Sequence, residues 1–206
     1  KLEKLINNKT KAIIVVHMLG ISPHMEKILQ ICKKKNISII EDTAWGCGGY
    51  FGKKRLGTIG RIGTFSFDFA KSLTTGEGGM IVFKEKKDFL AAKAWHDHGH
   101  ENNPKLPRWE DSRKKSGFNY RMTELQAAVG LAQLKKLSKI LRLHKKNRNL
   151  IWSKIKSLKI ELREVPKKNI ETFEALIFFV KNNQIAKNCR KNLNKLGIFT
   201  KILPEA

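Results

Sequence analysis

A nearly continuous apolar run, AIIVVHMLG at residues 12–20, sets the first limit on the fold, because its length suits a buried strand. Ser22 and Pro23 follow it, and these residue types fit the N-cap and first position of a helix. That helix is predicted to run to about Lys35, and Asn36 closes it ahead of a second apolar run, ISIIEDTA. The pattern predicts a β-α-β unit whose second strand ends in acidic residues.

The next part of the chain predicts two neighbouring antiparallel strands. Residues 63–69 and 79–83 have strand character, and the short glycine-bearing turn KSLTTGEGG joins them. A helix is predicted over residues 86–96. From there to Arg121 the chain has two prolines and no periodicity, so we expect a long loop, of the kind that is usually functional or mobile.

The last part of the chain is predicted to mix helices and strands. Thr123 and Gln126 have the spacing of a capping box at the start of a helix, and a second helical stretch is expected over residues 138–157. Two strand-like segments, KIELREV and TFEALIFFVK, come next. A final helix is predicted from Gln184 to about Leu196.

These elements divide into two predicted domains. Residues 1–145 form the larger one, and residues 146–206 begin a small C-terminal α/β domain that is truncated. The chain starts KLEKLINNKTK, with neither an initiator Met nor the apolar segment of a signal peptide, and no run is long enough to span a bilayer. We therefore expect a piece of a longer, soluble protein with no membrane partner.

The chain is strongly basic, with 42 Lys and Arg against 18 Asp and Glu and a formal charge of +24. The lysines are dispersed from end to end, which is typical of a solvated surface. A nucleic-acid partner is the disfavoured alternative, and it would show a steep salt dependence of binding.

Three cysteines, Cys32, Cys47 and Cys189, are odd in number, widely spaced and without a C-x-x-C pair. This usage argues against a disulfide framework or a zinc ribbon and indicates a reducing compartment, so a cytoplasmic protein is expected.

Three side chains near predicted strand ends are candidates for a ligand site. Asp42 follows the strand ISIIE, at the edge of a parallel sheet where ligands bind, although it could equally cap the following turn. Ser66 and Lys71 flank the end of the next strand and suggest a phosphate contact and an amine. The apolar approach Phe65, Phe67 and Phe69 would favour the neutral amine that Schiff-base chemistry needs, whereas the alternative is an ordinary hairpin with a surface lysine.

The segment HDHGH contains three alternating histidines, His96, His98 and His100, a pattern that resembles a metal-binding cluster. They fall at a helix end beside Gly99, with no partner Cys and no spaced pair of carboxylates. A loop or surface role is therefore favoured, and no metal site is predicted.

Four segments in one order resemble the DegT/StrS sugar aminotransferases, pyridoxal-phosphate enzymes of fold type I. They are AIIVVHMLG, EDTAWGCGG, GKKRLGTIGRIGTFSFDFAKSLTTGEGGMIVF and GFNYRMTELQAAVGLAQL. The resemblance covers the chain from residue 12 to about residue 157. It implies the α/β large domain of this fold, a mostly parallel sheet with flanking helices that lacks its amino-terminal part, followed by the start of a small C-terminal α/β domain.

The resemblance also implies roles for individual residues. Lys71 would be the catalytic lysine that forms a Schiff base with pyridoxal 5'-phosphate, and Asp42 would keep the pyridine nitrogen protonated so that the ring accepts electrons. Ser66 looks like a phosphate ligand. Asn119, in GFNYR, looks like a phosphate contact donated across a dimer interface, so a homodimer is implied.

Trp45 is the clearest departure from the family pattern. Members often carry Gln or His at this cofactor-binding position, where it contacts the phenolic oxygen of the cofactor. The indole of Trp45 can stack or donate one N–H but cannot accept a hydrogen bond. We therefore expect a different substrate or a different tuning of the cofactor.

The function implied by the resemblance is transfer of an amino group, typically from glutamate, to a keto-sugar nucleotide or a cyclitol ketone by a ping-pong mechanism. Such a reaction belongs to nucleotide-sugar and polysaccharide biosynthesis. Lys71 argues against the dehydratase branch, in which the Schiff-base lysine is replaced. The alternatives are a regulatory relative that binds the cofactor without turnover and, less favoured, a nucleic-acid-binding protein. The loop from His96 to Arg121 is where substrate choice is expected to lie.

Overall fold

The computed structural model describes residues 1–158 and 160–202. Its chain forms two compact units. The larger unit contains residues 1–146 together with residues 165–174, and the smaller unit contains residues 147–164 and the chain from residue 175 onwards. The division of the family fold into domains at residues 145 and 146 stays a prediction.

The described residues form five α-helices and nine short strands. In chain order these are α1 (Leu2–Leu5), β1 (Ala12–Val16), α2 (Met25–Lys34), β2 (Ser38–Asp42), β3 (Tyr50–Phe51), β4 (Lys54–Arg55), β5 (Ile62–Ser66), β6 (Gly79–Phe83), α3 (Lys86–Trp95), α4 (Glu124–Ile155), β7 (Glu161–Leu162), β8 (Asn169–Ile170), β9 (Phe178–Phe179) and α5 (Asn183–Lys195). Single turns of 3-10 helix lie at Met18–Gly20, Arg108–Glu110 and Lys156–Leu158.

The main sheet of the larger unit has the strand order β1-β2-β5-β6. The first three strands are parallel and β6 is antiparallel to β5, so the predicted β-α-β unit and the predicted antiparallel pair are confirmed. A second, smaller sheet joins β4, β3 and β8. The architecture is therefore a mixed, mostly parallel α/β sheet with helices, as the sequence predicts.

The core of the larger unit lies between α2 and one face of the main sheet. Met25 and Cys32 of α2 pack with Val15 of β1 and Ile39 of β2, and the turn residue Leu56 completes the cluster. On each strand the residues that face the core are two positions apart, because successive side chains of a strand alternate between faces. The opposite face of the sheet remains available for a site.

The amino-terminal boundary of α2 differs from the prediction, because the helix begins at Met25 and Ser22 is not its N-cap. The Ser22 hydroxyl donates to the Pro23 carbonyl at 3.0 Å, and the Ser22 N–H donates to Asn169 Oδ1 at 2.8 Å. Ser22 is thus engaged in a contact with a distant segment. Asn36 has a φ of 53° just beyond the helix, which agrees with its predicted role in closing it.

The capping box before α4 is confirmed, since Thr123 N–H donates to Gln126 Oε1 at 2.9 Å and Gln126 N–H donates to Thr123 Oγ1 at 3.3 Å. The prediction of a separate second helix from residue 138 is wrong, because α4 is one helix of 32 residues. Ser138 is neither proline nor glycine, and a serine in a helix interior costs only about 0.5 kcal/mol relative to alanine.

The smaller unit contains β7, β9 and α5. Strands β7 and β9 pair antiparallel, with Glu161 opposite Phe179. They are shorter than the predicted segments KIELREV and TFEALIFFVK, and Lys159 of the first segment lies outside the described residues. The predicted final helix is confirmed as α5, whose N-cap Asn182 accepts a hydrogen bond from the Ile185 N–H at 2.9 Å.

No helix within residues 1–158 and 160–202 is sufficiently long and apolar to cross a membrane. The three cysteines are free thiols, with Cys32 buried and Cys47 and Cys189 half-buried. Burial raises the pKa of the Cys32 thiol above its ordinary value.

Candidate functional site

The candidate site lies where the parallel strands of the main sheet end. Val16 is opposite Asp42 in the register of β1 and β2, and Asp42 is opposite Thr64 in the register of β2 and β5. Ser66 ends β5 two residues after Thr64 and therefore shares its face. The sheet thus brings Asp42 and Ser66 to one edge and one face, opposite the core packed by α2.

Asp42 caps the turn after β2 and still offers an oxygen to a ligand. Its Oδ1 accepts a hydrogen bond from the Ala44 N–H at 3.0 Å, so the capping interpretation describes part of its role. Among the residues that the structure describes, no cationic side chain pairs with it. A carboxylate that is half-buried and without a counterion at a sheet edge is suited to a cationic ligand atom.

Lys71 lies in the turn after β5, and its side chain contacts Trp45. Lys71 Nζ is 3.5 Å from the centroid of the Trp45 ring, within the range of a cation–π interaction. Trp45 follows Asp42 by three residues, so this contact places Lys71 at the same sheet edge as the carboxylate. The Trp45 carbonyl accepts a hydrogen bond from Thr172 Oγ1 at 3.5 Å.

The phenylalanines expected to shield Lys71 are arranged differently from the prediction. Phe67 is buried in a cluster with Leu73 and Leu137, against which Phe65 packs, but Phe69 is 76% exposed. Phe69 is beyond the end of β5, where the alternation of strand faces no longer applies. The aromatic group next to Lys71 is therefore Trp45.

Ser66 and the turn that follows are held by local hydrogen bonds. Ser66 Oγ accepts from the Asp68 N–H at 3.3 Å, which leaves its O–H able to donate to a ligand. Further along, Thr75 Oγ1 and Gln126 Nε2 both donate to the Glu77 carbonyl, at 2.7 and 2.8 Å. The turn at the candidate phosphate ligand is thus anchored to the start of α4.

Asn119 is the one predicted site residue that the described structure does not bring to the others. It is exposed, it pairs with Asp97 in an isolated β-bridge, and its Oδ1 accepts from Arg121 Nε at 3.1 Å. Within these residues no hydrogen bond or β-bridge joins it to Asp42, Trp45, Ser66 or Lys71. Asn119 is exposed, and its role as a contact across a dimer interface stays a prediction.

The predicted loop before Asn119 is tethered by a buried carboxylate. Asp97 is only 4% exposed and accepts two hydrogen bonds from Arg108, at 2.7 and 2.9 Å. Arg121 Nε lies 3.4 Å from the same carboxylate. The Arg108 hydrogen bonds hold the pKa of Asp97 far below its ordinary value, and burial opposes them only in part.

The histidines of HDHGH serve as loop residues. His96 Nδ1 is 2.7 Å from the Lys93 carbonyl, and the buried His100 Nδ1 is 3.3 Å from Asp111 Oδ2. His98 has a φ of 56° in the turn between them. Across residues 1–158 and 160–202, no group of three or more His, Cys, Asp or Glu side chains is placed to hold a metal ion.

Glu41 is a buried residue beside the site that the sequence analysis did not single out. It is fully buried, and its carboxylate is 2.8 Å from His17 Nε2. It also accepts hydrogen bonds from three backbone N–H groups, of Gly57 at 2.9 Å and of Ile59 and Gly60 at 2.6 Å each. Burial raises the pKa of Glu41, but the hydrogen bonds from His17, Gly60 and Gly57 outweigh it, so the pKa lies below its ordinary value.

Glu41 thereby fixes the strand end that carries Asp42. One signal in the sequence could have identified it: the register of ISIIED places Ile39 and Glu41 on the same, core-facing side of β2. A carboxylate at a core position needs partners, since an unpaired buried charge is very unfavourable.

Glu174 is the second residue that sequence reasoning missed. It accepts a hydrogen bond from the hydroxyl of Ser72, which directly follows Lys71. Ser72 and Glu174 are 102 positions apart in the chain, so no local sequence pattern links them.

A mostly parallel sheet with flanking helices is the architecture of the fold type I pyridoxal-phosphate transferases. The chain belongs to the DegT/DnrJ/EryC1/StrS aminotransferase family, whose model matches residues 1–203. The resemblance inferred from four sequence segments is therefore confirmed.

Comparisons with individual proteins agree with this membership. The chain is 38% identical over 171 residues to a GDP-perosamine synthase of Escherichia coli O157:H7, covering 83% of this chain and 42% of the relative. It is 44% identical over 137 residues to a GDP-perosamine synthase of Caulobacter vibrioides, covering 66% of this chain and 36% of the relative. The chain thus spans less than half the length of these curated relatives.

A solved structure shows the same fold. The PMP form of a putative sugar aminotransferase from Streptococcus pneumoniae superposes with a TM-score of 0.88 at 24% identity. The match covers 100% of this chain and 59% of the solved one. The fold of the chain is therefore part of the fold type I architecture.

Proposed function

We propose that the full-length protein is a pyridoxal-phosphate-dependent aminotransferase that transfers an amino group to a keto-sugar nucleotide or a related cyclitol ketone. The observation that supports this most directly is the placement of Lys71 against Trp45, at the edge where Asp42 and Ser66 lie. Membership in an aminotransferase family and similarity to two GDP-perosamine synthases support the same reaction class.

The residues at the sheet edge fit pyridoxal phosphate by their chemistry. Asp42 has a carboxylate oxygen available for a protonated ring nitrogen, and Ser66 has an O–H available for a phosphate oxygen. Lys71 presents a half-buried primary amine for covalent attachment, and the Trp45 indole offers an apolar surface beside that amine. In this proposal these four side chains serve the aldehyde, the ring nitrogen, the phosphate and the ring face of the cofactor.

The bound cofactor would supply an electron sink for breaking the Cα–H bond of the amino donor. Asp42 would stabilise the protonated ring nitrogen of the cofactor at the sheet edge. Ser66 would hold the cofactor phosphate by a hydrogen bond. Lys71, once its amine is released, takes up a proton at Nζ and returns it, as a general base and then a general acid. Because the two half-reactions use one site in turn, we expect ping-pong kinetics.

The partners of the reaction follow from the same proposal. Glutamate is the proposed amino donor, and the acceptor is a ketone carried by a sugar nucleotide or a cyclitol. The full-length protein is proposed to be a cytoplasmic homodimer in which Asn119 of one chain reaches the cofactor phosphate of the other. The exposure of Asn119 and its separation from the other four site residues support this arrangement.

The first experiment is a visible absorption spectrum of the full-length protein with added pyridoxal phosphate, before and after borohydride. We expect a Schiff-base band that is lost on reduction, with the reduced cofactor mapped by peptide mass spectrometry to Lys71. The matched control is Lys71→Ala, which should show no band and at least about 100-fold lower turnover.

Two outcomes would contradict the proposal. An adduct scattered over surface lysines would show that the site does not select Lys71. A band on Lys71 without amino transfer to any keto-sugar or cyclitol would favour the regulatory, cofactor-binding alternative over the enzyme.

A further inference from the structure

Arg121 sets the orientation of the Asn119 side chain. Arg121 Nε donates a hydrogen bond to Asn119 Oδ1 at 3.1 Å, and the Arg121 backbone N–H donates to the same oxygen at 3.4 Å. A guanidinium and a backbone N–H can only donate, so they select the oxygen of the amide and not its nitrogen. Among the residues that the structure describes, Asn119 Nδ2 makes no hydrogen bond, and its two N–H groups are left for an external acceptor.

The backbone on both sides of Asn119 is fixed by the end of α3. The Phe118 N–H donates to the Trp95 carbonyl at 2.8 Å, and the Tyr120 N–H donates to the His96 carbonyl at 2.9 Å. The main chain at Asn119 thus has little freedom, and the direction of its amide depends on the contact with Arg121.

Arg121 is itself held by a buried carboxylate. Its Nε lies 3.4 Å from Asp97 Oδ1, and the Asp97 side chain is only 6% exposed. Arg108 donates to both oxygens of Asp97, which leaves this carboxylate little room to turn. The Arg121 side chain is half-exposed, so without Asp97 it would populate many rotamers. Asp97, Arg121 and Asn119 therefore form a chain of polar contacts in which each side chain fixes the next.

An amide fixed in this way discriminates between ligand atoms. With its oxygen bonded to Arg121, Asn119 presents only N–H donors to its surroundings. The oxygens of a phosphate are acceptors, so they bond to N–H groups and are repelled by a carbonyl oxygen. An amide free to turn would expose its oxygen for part of the time and would bind a phosphate less tightly.

We propose that Arg121 is a positioning residue that acts through Asn119, by turning the amide so that Nδ2 donates to the phosphate of pyridoxal phosphate. The inference rests on the proposed role of Asn119 and adds the group that orients it. Arg121 need not touch the phosphate, because its Nε is engaged by Asn119 and lies close to Asp97.

The affinity of the full-length protein for the cofactor, after removal of any bound cofactor, tests this role. Dissociation constants are measured for pyridoxal phosphate and for pyridoxal, which has the same ring and aldehyde but no phosphate. The affinity for pyridoxal phosphate should fall at least about tenfold in Asn119→Ala and about threefold in Arg121→Ala, with no change for pyridoxal. Arg113→Ala removes an exposed arginine of the same segment and should leave both affinities unchanged.

A double-mutant cycle separates orientation of the amide from direct contact with the phosphate. If Arg121 acts through Asn119, then Arg121→Ala added to Asn119→Ala causes no further loss of affinity for pyridoxal phosphate. The same loss in both backgrounds would overturn the inference, because Arg121 would then bond the phosphate itself or support the segment as a whole.

Arg121→Lys tests whether positive charge alone is sufficient. Lysine keeps the charge but lacks the planar guanidinium, so we expect the same loss of affinity as in Arg121→Ala. Wild-type affinity in Arg121→Lys would overturn the inference. If Arg121→Ala does not fold, the cycle is carried out with Arg121→Lys.

Failure of this inference is distinguishable from failure of the proposed function. Attachment of pyridoxal phosphate to Lys71 in the wild type tests the function. An unchanged affinity in Asn119→Ala would overturn the role of Asn119 together with this inference and leave the reaction class intact. A loss in Asn119→Ala that is additive with the loss in Arg121→Ala would overturn the role of Arg121 alone.

Discussion

Two adjacent carboxylates, Glu41 and Asp42, have opposite environments because successive residues of a strand face opposite sides of the sheet. Glu41 points into the core and is fully satisfied by His17 and three backbone N–H groups. Asp42 points to the other face and keeps an oxygen for a ligand. One residue therefore stabilises the strand end and the other provides a charge at it.

Glu41→Gln tests the stabilising role. The amide would present N–H donors where the carboxylate now accepts from Gly57 and His17, so a buried donor would lose its partner. We expect a loss of about 1–3 kcal/mol in the free energy of unfolding, measured by urea denaturation of the full-length protein. Glu3→Gln, at an exposed position, should be neutral, and equal stability of the two variants would contradict the assigned role of Glu41.

At the scale of elements, the sequence predicts a long loop between α3 and α4. The structure shows that hydrogen bonds and ion pairs tether this segment. Asp97 at its start binds Arg108 in its middle and lies near Arg121 at its end. Asp111 accepts hydrogen bonds from the N–H groups of Asn102 and Asn103. A segment fixed at several points can hold residues such as Asn119 in a defined position.

The Asp97 tether predicts a pH dependence whose sign is set by its lowered pKa. A carboxyl with a lower pKa in the folded state adds stability above its unfolded pKa, near 3.9, and that contribution is lost as the pH falls further towards the folded pKa. We expect hydrogen exchange in residues 97–121, taken relative to the intrinsic rate, to increase below about pH 4.

Arg108→Ala removes the tether at neutral pH. Exchange in the same segment should become roughly tenfold faster, the equivalent of one charge-assisted hydrogen bond. Arg113→Ala changes an exposed arginine of the same segment and should leave exchange at its original rate. Equal protection in both variants would show that the segment is held by other contacts.

At the scale of the whole molecule, the larger unit exposes an aromatic cluster on either side of Asn119. Trp95 lies 5.2 Å from Phe118 and 5.3 Å from Tyr120, measured between ring centroids, and these rings are 48%, 56% and 62% exposed. Exposed aromatic groups beside a polar residue are typical of protein interfaces. This surface is consistent with the proposed homodimer in which Asn119 contributes to the other chain's site.

Co-expression of two inactive variants tests that arrangement. In a mixed dimer of Lys71→Ala and Asn119→Ala chains, one site would combine the intact Lys71 of one chain with the intact Asn119 of the other. Random pairing makes half of the dimers mixed with one intact site each, so about one quarter of wild-type activity should return. Each variant alone should remain inactive.

The opposite result has a clear meaning. If Asn119 acts within its own chain, the chain that carries Lys71 in a mixed dimer lacks Asn119, and co-expression restores no activity. The same preparations, examined by light scattering, show whether the full-length protein is a dimer at all.

The main sheet and most of its elements could be predicted from the sequence because they depend on patterns within a few residues. The apolar runs of β1 and β2, the glycine-bearing turn between β5 and β6 and the capping box of α4 are all local features. The sequence also placed Asp42 and Ser66 near strand ends, and the parallel register of β2 and β5 in the structure brings them to one edge. The family resemblance then supplied the role of Lys71.

The sequence by itself thus determined the α/β fold and the residue types at the sheet edge. Only the tertiary structure decided what surrounds them: Trp45 beside Lys71 in place of Phe69, Glu41 as a buried acceptor, and Glu174 beside Ser72. The physical reason is separation along the chain. A turn or strand end is fixed by neighbouring residues, whereas the contact between Ser72 and Glu174 spans 102 positions and depends on where packing returns the chain.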